Sequence, residues 1–313
     1  MPAWLEEINM GKQDLPKLGR LRVHSVLYGN EPNRVAQAIS HLERAARLSL
    51  ATGVFDQVVL AYGDCSPQES LRETVLINKF DGSALADVEY HFFDANLGSA
   101  HGHNRLLEIG GSEFVLIMNP DIMMAPNAIV ELARPFLDAK VGMAEAKQLP
   151  IEHPKQYDAA SGDTGWAATA CTLIPRRIVS MLEGFDHSTF FLYCDDVDFS
   201  WRVRLSGHRV VYCPAASAFH DKRLGERGAW AVGWAEKYYS AEAAMLLAYK
   251  FSREDLAEQI ATHFETSGDE VWLKAVREYR RRQSAAELPA QLDSSHKVAV
   301  FTNGAYASHR FVM

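Results

Sequence analysis

Three carboxylates within four positions, Asp195, Asp196 and Asp198, follow the aromatic, strand-like stretch Phe190-Phe191-Leu192-Tyr193. Carboxylates this close raise one another's pKa, and one aimed at a hydroxyl can take its proton as a general base. Acids also suit the positive end of a helix, which accounts for Asp195 or Asp198 more readily than for all three beside apolar aromatics. A further carboxylate, Asp121, stands in Asn119-Pro120-Asp121 directly after the apolar run Phe114–Met118, where a hard cation and a diphosphate could meet. Asn-Pro-Asp is equally ordinary turn chemistry. The small-residue segment Asn96-Leu97-Gly98-Ser99-Ala100-His101-Gly102-His103-Asn104 reads as a loop whose glycines let backbone approach a phosphate or a sugar. Its His-x-His pair has no neighbouring Cys or third His, which fits a surface or supporting role better than a metal site. His220 closes the stretch from Pro214, and a lone histidine there reads as structural.

These groups lie far apart along the chain, so a scaffold must gather them. Leu21–Leu27 predicts a strand ended by Tyr28-Gly29-Asn30, and Pro32 opens a helix with Val35, Ala38, Ile39 and Leu42 on one face. Val54–Tyr62 predicts a second strand, closed by Gly63-Asp64-Cys65-Ser66-Pro67 and followed by a helix with Leu71, Val75 and Leu76. Val88–Phe93 is the third, followed by Asn96–Asn104 and a short helix through Leu107. Phe114–Met118 is the fourth, with a helix over Asn127–Leu137. Such alternation implies an α/β fold with a mostly parallel, doubly wound sheet. In such sheets ligands sit beyond the carboxyl ends of the strands, where the polar residues above are found. Val141–Ala146, Ala167–Ile174 and Arg209–Cys213 predict further strands, and Asp196–Leu205 a helix. After His220 the pattern turns helical: Trp230, Trp234, Tyr238, Ala241, Met245 and Ala248 recur at spacings of three or four, and Glu254–Tyr279 continues likewise. Ser284–Ser295 reads as a linker, and Lys297–Phe301, Asn303-Gly304 and Tyr306–Val312 as a hairpin or an added sheet edge.

The 313 residues are 48% apolar and 23% charged, enough to build a packed core. With 32 Lys plus Arg against 40 Asp plus Glu, the net charge of −8 argues against a nucleic-acid partner. The four cysteines form no C-x-x-C pair, so neither a zinc ribbon nor a redox motif is expected. Glu6 and Glu7 stand where a signal peptide would be basic, and no apolar stretch nears the ~18 residues of a spanning helix. A cytoplasmic protein, with at most peripheral contact at the inner face of a membrane, is the expectation.

Taken in order, these blocks resemble glycosyltransferase family 2, especially its rhamnosyltransferase-like members, over roughly Val23 to Phe251. The likeness rests on Tyr28-Gly29-Asn30, Asp64-Cys65-Ser66 and Asn96-x-Gly98-x-Ala100-x-Gly102-x-Asn104 after the first three strands. Asn119-Pro120-Asp121 then looks like the family's D-x-D variant, Gly184-Phe185-Asp186 its Gly-Phe-Asp turn, and Tyr193-x-Asp195-Asp196-x-Asp198-x-x-x-Arg202 its acidic block; Gly207, Pro214 and His220 follow in the family's order. The resemblance implies the type A nucleotide-diphospho-sugar transferase fold with a C-terminal helical appendage. It implies an inverting hexosyl transfer from a UDP- or dTDP-sugar, rhamnose being the sugar the subfamily suggests, to a glycan, lipid-linked or other hydroxyl acceptor. Tyr28, Asn30, Asp64, Asn96, Gly98, Asn104 and Asn119 would contact the donor, Asp64 at the base. Asp121 and His220 would hold Mg²⁺ or Mn²⁺ against the diphosphate, and Asp196 would be the catalytic base. Asp195, Asp198 and Arg202 would position that base or meet the acceptor. Trp166 suits an acceptor-stacking platform as well as it suits core packing. The implied division is an N-terminal extension over 1–20, a nucleotide-sugar-binding catalytic domain over 21–222, a helical appendage over 223–283, and a linker with a hairpin over 284–313.

The chain departs from the family at several points. The carboxylate of Gly63-Asp64-Cys65-Ser66 lies one residue from its usual place, Thr169 and Pro175 replace a Gly and an Arg on the acceptor path, and Asp195 replaces a Glu. His101 and His103 fall where the family is loose and are candidates for donor selection. The aromatic stripe with Arg227 and Lys237 nearby fits packing on the main domain or in a homodimer better than a membrane surface, which would suit a lipid-linked acceptor. A sugar nucleotidyltransferase shares the fold, although no Gly-rich pyrophosphorylase loop is present. A non-catalytic nucleotide- or glycan-binding scaffold is the alternative from another class.

Overall fold

The structure, a computed structural model, describes residues 15–76, 82–152, 154, 156–220, 233–302 and 304–307. Eight strands make one sheet: β1 (Arg20–Leu27), β2 (Gln57–Asp64), β3 (Asp87–Phe92), β4 (Phe114–Met118), β5 (Ile122–Met124), β6 (Val141–Leu149), β7 (Cys171–Pro175) and β8 (Arg209–His220). Their spatial order is β3-β2-β1-β4-β7-β6-β8-β5. The first four lie parallel, each reached through a helix: α1 (Pro32–Ala51), α2 (Arg72–Leu76) and α3 (Gly98–Ile109). The second half departs from the expected doubly wound arrangement. β7 runs antiparallel to both β4 and β6, and β5 runs antiparallel to β8, so the sheet is mixed. An antiparallel return needs no crossover helix, and among the described residues none lies between β6 and β7.

Every residue of β4 is buried, and they alternate between two cores: Leu116 and Met118 face the one under α1 and α4 (Ala128–Ala133), while Val115 and Ile117 face the one under α3, α5 (Arg176–Met181) and α6 (Asp195–Leu205). A strand covered on both sides reads as a continuous apolar run, which is why it was visible in the sequence. The helix expected over 127–137 is α4 followed by a 3₁₀ turn at Arg134–Leu137.

The helical part comprises α7 (Trp234–Lys250), α8 (Glu254–Thr266) and α9 (Glu270–Ser284); Trp230 and Arg227 lie outside the described residues. Ala241, Ala243, Ala244 and Ala248 let neighbours close round α7, whose core also takes in Trp166, Phe190, Val197 and Trp201 from the sheet side. The segment read as a linker is laid against this unit. Leu288 and Leu292 pack on it, Leu292 N donates to Lys250 O at 2.6 Å, and Asp293 accepts from the amides of Lys297, Val298 and Ala299. Of the segment expected as a hairpin, Asn303 and residues 308–312 lie outside the described residues; Thr302 and Ala305 form an isolated antiparallel bridge. Among the described residues no helix is long and apolar enough to cross a membrane.

Candidate active site

A cleft of about 830 Å³ opens beyond the carboxyl ends of β1 and β4. Tyr28, Asn30, Asn96, Gly98, Asn119, Asp121, Asp195, Asp196 and His220 all line it. Strand β5, too short for any periodic signal, does much of the gathering: its first residue, Ile122, pairs with His220 at the end of β8. Asp121, one residue earlier, thereby meets the histidine, with Nε2 3.3 Å from Oδ1. On the other side of the ring, Nδ1 lies 2.8 Å from Gln148 Oε1, contributed by β6. The Gln148 amide oxygen at Nδ1 suits the tautomer protonated there, in which Nε2 would offer its lone pair beside the Asp121 carboxylate, a pairing that would take a cation between them. One imidazole nitrogen and one carboxylate oxygen suit Mn²⁺, with its remaining positions open to phosphate or water oxygens. Among the described residues no group of three or more His, Cys, Asp or Glu gathers to hold a metal by itself, so a cation here would depend on its ligand as well.

The acidic block begins on a strained turn. Tyr193 and Cys194 both adopt left-handed backbone, φ 65° and 57°, before α6 starts. Two such residues in succession cost on the order of 1–3 kcal/mol each and persist only where the surroundings fix them. Asp195 is buried, and its Oδ2 has no hydrogen-bond partner. Burial first, and the adjoining Asp196 carboxylate second, push its pKa well above the usual range, against a hydrogen bond with Ser99. Asp196 is half-buried at the cleft wall; its Oδ1 accepts from Val197 N at 2.8 Å.

α3 starts at Gly98, so the segment expected as a loop over 96–104 is mostly helix. Gly98 has φ +70°, and a Cβ there would come 2.3 Å from Phe191 O. The first two helical amides are engaged within the protein, Gly98 N with Asn96 Oδ1 at 3.3 Å and Ser99 N with Phe191 O at 3.1 Å. His103 lies in the cleft floor, its pKa pushed down to about 4 by burial, whereas His101 stacks on His187 at 4.3 Å outside the cleft.

Five other residues singled out in the sequence do not line the cleft. The Asp64 carboxylate is wholly buried, accepting from Ser66 N at 2.8 Å and from the Tyr90 hydroxyl. Asn104 spends its amide on both the N–H and the C=O of Phe185, at 2.9 and 2.8 Å. Trp166 packs edge-on against Tyr306, and it is Tyr306 that reaches the cleft. Asp198 is wholly buried between Arg202 and Lys250, and Arg202 donates to Leu182 O and Gly184 O. Conversely, Gln148, Ser99, Phe191, Trp234, Glu236 and Tyr239 line the cleft without having been marked as site residues. Phe191 stands in the aromatic stretch that precedes the carboxylates, whereas Gln148 and Glu236 carry no local signal.

No described protein family matches the chain as a profile. The chain is 25% identical over 233 residues to the N-acetylglucosaminyl-diphospho-decaprenol L-rhamnosyltransferase of two Mycobacterium tuberculosis strains, a match covering 58% of this chain and 72% of the relative. Among solved structures, the mannosyltransferase PcManGT of Pyrobaculum calidifontis, in complex with GDP-Man and Mn²⁺, superposes with a TM-score of 0.57 at 14% identity, covering 88% of this chain and 81% of that one. GalNAc-T7 with UDP, GalNAc and Mn²⁺ gives 0.61 at 12% identity, covering 87% of this chain and 59% of that one. S. aureus TarS gives 0.56 at 13% identity, covering 86% and 50%. The chain therefore has a glycosyltransferase-like α/β fold and is a distant relative of a rhamnosyltransferase.

Proposed function

We propose that this chain is an inverting, metal-dependent glycosyltransferase that moves a sugar from a nucleotide-diphosphate donor to a hydroxyl of a glycan or glycoconjugate. The observation that carries the reading is the convergence of Asp121, His220 and Asp196 on one cleft. Mn²⁺ or Mg²⁺ bound by Asp121 and His220 would stabilise the charge that builds on the departing diphosphate. Asp196 takes the proton of the acceptor hydroxyl as it attacks the anomeric carbon from the side opposite the leaving group. Burial and the adjoining carboxylate raise the pKa of Asp195 to about 7, so the pair need not carry two charges at once, an arrangement in which adjacent carboxyls divide their roles. The relative's name supports a rhamnosyl donor and a lipid-linked acceptor, and UDP or dTDP is the nucleotide this reading assigns to the donor. Such an acceptor would bring the protein to the cytoplasmic membrane surface, where Trp234, 52% exposed beside the cleft, is suited to contact it.

A thermal-shift panel of UDP- and dTDP-sugars with and without Mn²⁺ identifies the donor, because a ligand of the folded state raises the melting temperature by mass action. With that donor, Asp196→Asn lowers transfer by about 10²-fold or more while its thermal shift persists. Undiminished turnover by the variant removes Asp196 from the role. EDTA stops turnover and Mn²⁺ restores it; indifference to the chelator removes Asp121 and His220 from metal binding.

A further inference from the structure

Lys250 is the last residue of α7, in the helical unit, yet its ammonium lies inside the junction with α6. It is 5% exposed, with Nζ 2.7 Å from Asp186 Oδ2 and 2.5 Å from Asp198 Oδ1. The Phe190 ring flanks it at 5.5 Å. Arg202 completes the cluster, 2.8 Å from Asp198 Oδ2 and donating to the carbonyls of Leu182 and Gly184. Two anions and two cations thus form a neutral, closed set, the condition under which charges tolerate burial. Burial alone would raise the pKa of Asp186, but the Lys250 charge, with Ser188 and Thr189, holds it well below the ordinary range.

What the cluster grips matters more than its charge balance. Asp198 N donates to Cys194 O at 2.8 Å, so fixing Asp198 fixes the backbone of Cys194. Cys194 and Tyr193 are the two left-handed residues that set the direction in which Asp195 and Asp196 leave the turn. A left-handed pair of non-glycine residues relaxes unless its surroundings over-determine it. Asp186, held by the same ammonium, belongs to the Gly184-Phe185-Asp186 turn, which Asn104 of α3 also binds.

We infer that Lys250 is a positioning residue: by tying Asp198 to Asp186 it holds the Tyr193–Cys194 turn in its left-handed form and so aims Asp196 into the cleft. This rests on the reading of Asp196 as the base. It makes the helical unit part of the active site rather than an appendage to it.

The test is steady-state turnover of the full chain with Mn²⁺ and whichever UDP- or dTDP-sugar gives the largest thermal shift, read beside that donor's Kd. Lys250→Met lowers kcat by about 10- to 100-fold with donor Kd within about twofold, and Lys250→Arg recovers most of the loss. Arg281→Met, which removes an exposed guanidinium bonded to Glu278 and Glu287, leaves kcat unchanged. Wild-type kcat in folded Lys250→Met overturns the inference, as does a loss no larger than its unfolded fraction, and so does failure of Lys250→Arg to recover activity. Should Lys250→Met not fold, the charge-balanced pair Asp186→Asn with Lys250→Met is measured instead, with the same expected loss of kcat and the same overturning result. A wild-type protein that turns over no donor refutes the proposed function itself, a distinct outcome.

Discussion

Gln148 shows how a neutral side chain decides the use of a charged one. Its amide oxygen lies 2.8 Å from His220 Nδ1, which orients the ring so that Nε2 faces Asp121. Outer partners of this kind ordinarily change metal affinity by about 10- to 100-fold when removed. Gln148→Leu therefore raises the Mn²⁺ concentration needed for half-maximal turnover by about that factor; an unmoved midpoint separates Gln148 from the cation. Asp121 and His220 were readable because the ordered motifs pointed to them, whereas Gln148 was not, since nothing local distinguishes a glutamine near the end of a strand. Asp64 shows how packing can engage a carboxylate that local sequence offers to a ligand. A carboxylate at the end of a strand invites a ligand, but here the Tyr90 hydroxyl and the Ser66 amide consume it inside the fold.

At the scale of elements, the first turn of α3 and the turn before α6 are built against each other. Gly98 can sit beneath Phe191 only because it lacks a Cβ and accepts φ +70°. Gly98→Ala adds a carbon 2.3 Å from the Phe191 carbonyl in a backbone conformation alanine resists. A loss of about 2 kcal/mol or more is expected in urea unfolding, together with weaker donor binding; a variant as stable as the parent would show that the two turns yield to each other. Composition alone made 96–104 look like a loop, since glycine and serine are poor helix formers. Contact with Val26 and Phe191 rewards small residues there and overrides that preference. β5 escaped notice for a different reason: three residues carry no period, and its pairing with β8 is long-range.

At the scale of the whole molecule, two histidines, His24 and His103, are buried with their pKa values pushed down. His24, on β1, is wholly enclosed with neither ring nitrogen bonded, and burial, aided by His103, Arg22 and Arg176, drives its pKa well below the ordinary value. His103 is held down to about 4 by burial. In the unfolded chain each takes up a proton as pH falls through about 6.5. Between that pH and the folded values the unfolded state binds more protons, so stability declines as pH drops. For His103 the decline from pH 7 to 5 is about 2 kcal/mol. Urea unfolding at the two pH values measures it, and His103→Gln should reduce the difference by about that amount; an identical slope in the variant would mean that His103 is already protonated in the fold.

The alternation of strands and helices, the apolar central strands and the helical C-terminal part follow from local periodicity, which a chain displays wherever it is read. The polar residues at strand ends followed too, because a strand that is apolar along its length must deliver its chemistry after it stops. What tertiary structure alone decided was which of those residues share a space. Pairing of β5 with β8 joins Asp121 to His220, antiparallel insertion of β7 makes the sheet mixed, and a lysine from α7 closes the cluster under the acidic turn. Such contacts join residues remote along the chain, and their geometry comes from packing, which leaves no mark on the spacing of either partner.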